Sequence, residues 1–185
     1  DSMNLCLRIY SEEDYQEQLE DLEKKLTPEI LGKEIHEQID RTTWTASHPE
    51  HNTETARALY PVYRMLMIPI AHGSLRAATD IFLKYQDLHP QSDSSIYPVR
   101  FSKDKLNDKI PQISGEEIEY LKETAKGKQI VIFDEDVCFG DTMNGAIRFF
   151  DKLFAREVIP VTNSSSHFNG RGILPSNELK WLEEK

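Results

Sequence analysis

Two cysteines, Cys6 and Cys138, in a chain of 185 residues leave neither a disulfide framework nor a zinc-ligand spacing to read. Their scarcity points to a reducing compartment, and the cytoplasm is the expected location. Basic residues are also in short supply, with 22 lysines and arginines against 32 aspartates and glutamates and a formal net charge of −10. A general nucleic-acid binder needs a basic face to displace counterions, so no such partner is expected, although a small anionic molecule can still bind locally. No apolar run approaches the roughly 18 residues of a membrane-spanning helix. The residues after Asp1 show no basic-then-apolar signal pattern, and no membrane association is expected. Internal repeats, low-complexity tracts and clear interdomain linkers are missing too. What remains is a length suited to one domain, or one domain with an appendage, and sufficient to bury a core.

The first sixty residues read as helix and loop. SEEDYQEQLEDLEKKL, residues 11–26, opens with a Ser-x-x-Asp cap and spaces Tyr15, Leu19, Leu22 and Leu26 for one helical face. Thr27 and Pro28 start a second helix to about Ile39. A third is expected from Asn52 or Thr53 through ETARALYPVYRML, bent or interrupted at Pro61. Residues 1–60 thus form a helical extension or hood, and 61–185 a core of different character.

That core alternates strand and helix. MIPIA, a turn HGS and a helix LRAATDIFLKYQDL come first; a strand IYPVRF and a charged loop SKDKLNDK follow. The box SGEE, Ser114 to Glu117, caps a helix to about Ala125, which Gly127 ends. Strand QIVIF, an acidic turn, helix TMNGAIRFFDKLF and strand EVIPVTN complete the pattern. The fold class is therefore α/β, a mainly parallel sheet flanked by helices. Ligands in such sheets bind at the carboxyl ends of the strands. The loops AHGSLR, SKDKLNDK, DEDVCFGDT and NSSSHFNGR all follow such ends.

The stretch IVIFDEDVCFGDTMNGA, residues 130–146, carries the densest chemistry. A helix start at Gly140–Asp141–Thr142 favours a phosphate, because its first N–H groups are free and lie at the positive end of the dipole. Carboxylates beside it, Asp134, Glu135 and Asp136, can accept hydrogen bonds from sugar hydroxyls. The structural alternative is a solvated turn in which Asp141 or Thr142 merely caps the helix. Arg100, Lys103 and Lys105 form a basic cluster beside a strand end, and Arg76 opens the helix after the AHGS turn, where it could clamp an anion. Asn163, Ser164, Ser166, His167 and Arg171 are candidates for an acceptor side.

Two families share such a motif. VIFDEDV resembles the Asp-x-Asp strand of the haloacid dehalogenase-like phosphatases, which would make Asp134 a nucleophile and Asp136 an acid/base. The stretch from Asp136 to Lys185 is, however, short for that family's remaining motifs. A longer resemblance, from Met67 to Phe168, is to the type I phosphoribosyltransferases, whose signature is four apolar residues, two acids and a small-residue loop ending Gly-x-Thr. Here IVIF, Asp134, Glu135, DVCF, Gly140, Asp141 and Thr142 match it in length, and Glu135 with Asp136 is an alternative register.

The resemblance implies that Asp134 and Glu135 bind the ribose hydroxyls of phosphoribosyl pyrophosphate and touch Mg2+ only through that substrate. It implies that Cys138, Phe139, Gly140, Asp141 and Thr142 wrap the 5′-phosphate. Ala71, His72, Gly73, Ser74 and Arg76 would face the pyrophosphate, and Arg100 and Lys103 would lie on the catalytic loop. The implied partners are a sugar phosphate and a nitrogenous acceptor, with a homodimer as the assembly to test. Cys138 and Phe139 stand where that family commonly has small hydroxylated residues, and the Asp141 carboxylate repels a phosphate unless it points away. A ligand-binding or regulatory module on the same fold, without turnover, is therefore the alternative function.

Overall fold

The structure is a computed structural model, and it describes residues 48–71, 73–103, 107–137, 140–165 and 172–173, with isolated positions at 20, 24 and 46. The chain divides into two compact units, Asp1–Ile39 and Asp40–Lys185. Nearly all described residues belong to the second, to which the following account is confined. The helices expected over 11–26 and 28–39 lie outside the described residues.

Helix α1, Pro49–Ala58, starts earlier than Asn52, because Pro49 is already fixed in helical φ and the His48 side chain accepts the Glu50 N–H. It also stops short of Pro61 instead of bending there. A proline inside the helix would remove one N–H and clash with the preceding turn, so the chain leaves the helix at Leu59 and enters strand β1, Met65–Ala71. Helix α2, Leu75–Leu88, follows as expected.

The stretch IYPVRF does not form one strand. It yields two short pieces, β2 at Ser95–Ile96 and β3 at Val99–Arg100, both parallel to β1. Pro98 has no N–H to give to a ladder, and it lies in the gap between them. Pro69 of β1 falls opposite the same gap, between the registers Met67↔Ile96 and Ile70↔Val99, where a missing donor does least harm.

Helix α3, Gly115–Thr124, carries the predicted capping box: Ser114 Oγ accepts from Glu117 N at 3.2 Å, and Ser114 N donates to Glu117 Oε2 at 2.7 Å. Strand β4, Gln129–Val137, helix α4, Asp141–Phe154, strand β5, Ile159–Ser165, and the short strand β6, Gly172–Ile173, complete the unit.

The six strands form a sheet in the order β2-β1-β4-β5-β6, with β3 also on β1 and only β6 antiparallel. Alternation along the strands divides the core into two layers. Leu66, Ile68 and Ile70 of β1 and Ile130 and Ile132 of β4 face α3 and α4, meeting Leu121, Met143 and Phe150. Met65 and Met67, with Val131 and Phe133, face α1 and α2, meeting Ala56, Ile81, Phe82 and Tyr85. Burying each of the larger side chains contributes about 1.5–3 kcal/mol. The fold is thus α/β with helices on both faces of a mostly parallel sheet. No helix among the described residues is long and apolar enough to cross a membrane.

Candidate functional site

Strand order locates the place where ligands collect. The chain runs from β1 outward to β2 and β3, then returns to lay β4 on the other side of β1. Connections therefore diverge above the carboxyl ends of β1 and β4, the switch point at which open α/β sheets bind ligands. The loop after β1, the end of β4 and the amino end of α4 all meet there.

The three acids differ from expectation in one respect. They do not form a turn after residue 133; β4 continues through them to Val137. The reason is β5, which runs to Ser165 and pairs Asp134 with Thr162, Asp136 with Ser164 and Val137 with Ser165. β1 gives no such partner, since its register with β4 ends at Pro69↔Phe133. Ser74 takes up part of the slack on that side: its Oγ lies 3.4 Å from the Glu135 N–H, 2.9 Å from Asp134 Oδ1 and 2.6 Å from Ile70 O.

Because strand residues alternate, consecutive acids point to opposite faces. Asp134 and Asp136 are half-buried, and Asp134 meets the Ser74 hydroxyl at the N-cap of α2. Glu135 is buried, 6% exposed, and its carboxylate lies against Gly73: a Cβ built on Gly73 would sit 2.0 Å from Glu135 Oε1. Only glycine permits that approach.

Burial is the first cause that pushes the Asp134 carboxyl up to about 7; the neighbouring charges of Glu135 and Asp136 add to it, while the Ser74 hydroxyl and the Glu135 backbone N–H oppose it. Ser74 Oγ is placed to donate either to Ile70 O at 2.6 Å or to Asp134 Oδ1 at 2.9 Å.

Helix α4 begins at Gly140, whose φ of 82° is left-handed and whose missing side chain leaves the helix start without a side-chain cap. Asp141 is the first helical residue and is exposed, so neither it nor Thr142 is the N-cap that the structural alternative required. Thr142 Oγ1 instead accepts from the Lys103 N–H at 3.4 Å. The segment after β3 is thereby laid on the first turns of α4: a Cβ on Gly145 would lie 2.9 Å from the Phe101 ring and 3.1 Å from Lys103 Cε. Gly145→Ala is expected to destabilise the protein by about 1 kcal/mol in urea denaturation. The gain in helix propensity, ~1 kcal/mol, is outweighed by overpacking against a buried ring, ~1–3 kcal/mol.

Other expected site residues are placed less centrally. Ala71 ends β1 beside Arg100. Arg100 is exposed and pairs with Asp108 at 3.3 Å within its own loop. Arg76 is exposed in the first turn of α2. Asn163 was expected on an acceptor side; it is fully buried, takes the Thr55 hydroxyl at 2.6 Å, and donates to Asn52 Oδ1 at 2.6 Å and Ala46 O at 2.7 Å. Asn52 in turn donates to Asp80 of α2 at 2.7 Å. His72, Cys138, Phe139, Lys105, Ser166, His167 and Arg171 lie outside the described residues. Sequence reasoning missed the Glu135–Gly73 contact, whose only signal is a glycine beside a strand end.

No family model matches this chain, and the comparison with curated proteins found no match.

Proposed function

We propose that the chain binds a phosphorylated sugar at the switch point, in the manner of the type I phosphoribosyltransferases it resembles, with phosphoribosyl pyrophosphate and a nitrogenous acceptor as the substrates to test. The observation that carries this is the convergence of Gly73–Ser74, the carboxylates of β4 and the uncapped start of α4, with Lys103 laid beside it.

In this reading Asp134 and Asp136, on one face, take the sugar hydroxyls, and the amino end of α4 takes the 5′-phosphate. Lys103 adds positive charge at the phosphate end. Displacement of pyrophosphate by a ring nitrogen passes through a cation-like sugar, so the protein's work is chiefly positioning and exclusion of water. Mg2+ fits such a site as an ion held mainly by substrate oxygens and waters; no group of three or more His, Cys, Asp or Glu among the described residues is arranged as a cage for it. When bound, it would neutralise the leaving diphosphate.

A second reading, a binding module without turnover, is favoured by one observation: the loop that would face a diphosphate already holds the Glu135 carboxylate.

The test is titration calorimetry of phosphoribosyl pyrophosphate with and without Mg2+. Binding that depends on Mg2+, followed by pyrophosphate release with some base, is the expected result for the transferase. Binding without release with any base would support the module. No binding in either condition would remove the sugar-phosphate assignment.

A further inference from the structure

The ladder between β1 and β4 ends at Pro69↔Phe133, before the acids begin. Ser74 carries the connection further. Its Oγ lies 2.6 Å from Ile70 O of β1, and 2.9 Å from Asp134 Oδ1 and 3.4 Å from the Glu135 N–H of β4, in a residue only 1% exposed. The resemblance implied that Ser74 faces a diphosphate, yet its hydroxyl is directed into the protein. Nor does the helix it precedes engage it, since Ser74 is the N-cap of α2 and makes no side-chain cap bond.

A serine hydroxyl has one hydrogen and two lone pairs. The Glu135 N–H can occupy one lone pair, and the hydrogen has two competing acceptors, Ile70 O and Asp134 Oδ1. The charge on Asp134 decides between them. An ionised carboxylate attracts the hydrogen more strongly than a carbonyl does, because a charge-assisted bond is roughly twice as strong as a neutral one. A neutral carboxyl leaves the hydrogen to Ile70 O. The bond from Ser74 to Asp134 therefore belongs to the charged state and stabilises it. The influences on the Asp134 carboxyl agree: burial raises it most, the Ser74 hydroxyl comes next and lowers it, the acids Glu135 and Asp136 of the same strand raise it again, and the Glu135 N–H lowers it.

We propose that Ser74 is a positioning residue of this site: its hydroxyl fixes the Asp134 side chain and favours the charged form, which accepts hydrogen bonds from a sugar's hydroxyls, and it does so without touching the ligand. The use of Asp134 on a sugar rests on the sugar-phosphate reading above; the control of Asp134 by Ser74 does not.

Ser74→Ala tests this, because alanine suits the φ of −66° and ψ of −13° found here and no cap bond is lost. Ionisation of Asp134 is followed by the NMR shift of its carboxyl carbon in aspartate-labelled protein, with Asp134→Asn identifying the signal. The midpoint in Ser74→Ala is expected to rise by about 1 pH unit, the scale of one hydrogen bond to a charged group. Phosphoribosyl pyrophosphate with Mg2+ is then titrated into both proteins at pH 7 and pH 9. Affinity of the variant should fall about fivefold below wild type at pH 7, where fewer of its Asp134 carboxyls are ionised, and recover at pH 9. A serine with a merely structural role would lower stability without moving the midpoint. Ser74→Cys, close in size and a weaker donor, is expected to act in the same direction, and it decides the matter if Ser74→Ala does not fold. An unchanged midpoint in a folded variant refutes the control of Asp134 by Ser74. A loss of affinity equal at the two pH values would mean that Ser74 touches the ligand, and overturns the positioning role. If the midpoint rises while wild type binds no phosphoribosyl pyrophosphate at either pH, the control stands and the sugar-phosphate reading falls.

Discussion

Asp134→Asn is expected to stabilise the protein at pH 8 and to leave its stability nearly unchanged at pH 4. The folded state holds the Asp134 carboxyl at about 7, against an ordinary value of 3.8. A raised carboxyl means that the folded state binds the proton more tightly than the unfolded chain does. Its contribution is thus fully present below pH ~3.8 and is lost as pH rises through ~7. The difference corresponds to at most roughly 4 kcal/mol, reduced by whatever water reaches this half-buried residue. Asparagine cannot ionise, and its Oδ1 can still accept from Ser74 Oγ. Urea midpoints measured from pH 4 to pH 8 should fall steeply for wild type above pH 5 and stay flat for the variant. A wild-type curve that is flat over this window would show that Asp134 ionises freely in the folded protein. A residue that lowers stability where it is charged is the kind found at binding sites, where function and stability compete.

The second large effect belongs to Asn163→Ala. The Asn163 amide joins α1, through Thr55 and Asn52, to β5, and Asn52 extends the connection to Asp80 of α2, which also pairs with Lys84. Thr55 and Asn163 are fully buried and Asn52 is 3% exposed. Truncating Asn163 would leave the Thr55 hydroxyl, Asn52 Oδ1 and Ala46 O without their present partner. Each buried polar group stranded this way costs about 1–3 kcal/mol, so a loss of roughly 3–5 kcal/mol is expected, large against a typical total of ~5–15 kcal/mol. Equilibrium denaturation would measure it, and amide exchange should show α1 opening first. Thr55→Val is the milder control, because it removes the hydroxyl and strands only one side of Asn163. Equal losses in the two variants would mean that the amide is not the centre of the network.

These two residues illustrate what could and could not be read in advance. Local signals were legible. Ser114 and Glu117 announced the start of α3, the turn after β1 announced α2, and the alternation of strands and helices announced the parallel sheet. Failures came where a distant partner decides. β4 runs on through its acids because β5 reaches that far, which no property of Asp134 to Asp136 reveals. Asn163 looked like a polar residue at the mouth of a strand, and its role depends on Thr55 and Asn52, more than a hundred residues earlier in the chain. Gly73 looked like turn chemistry. Its smallness serves a side chain on another strand. The candidate site was legible as a list of loops, whereas the division of its acids between two faces of the sheet emerged only from the pairing of β4.

The gap opposite Pro69 bears on how the molecule can deform. β2 and β3 hang on β1 by separate two-residue ladders, with Pro98 between them and the Tyr97 N–H on Met67 O as the bond nearest the gap, so the ladder along this border is not continuous. A displacement starting at Val99 need not propagate to Ser95. If β3 peeled away, Phe101 would leave its place over Gly145 and Lys103 would leave Thr142, uncovering the start of α4 while β2 kept the remainder of β1 covered. Pro98 in the border and Pro69 in the strand beside it thus place the break in the ladder next to the segment that covers the start of α4.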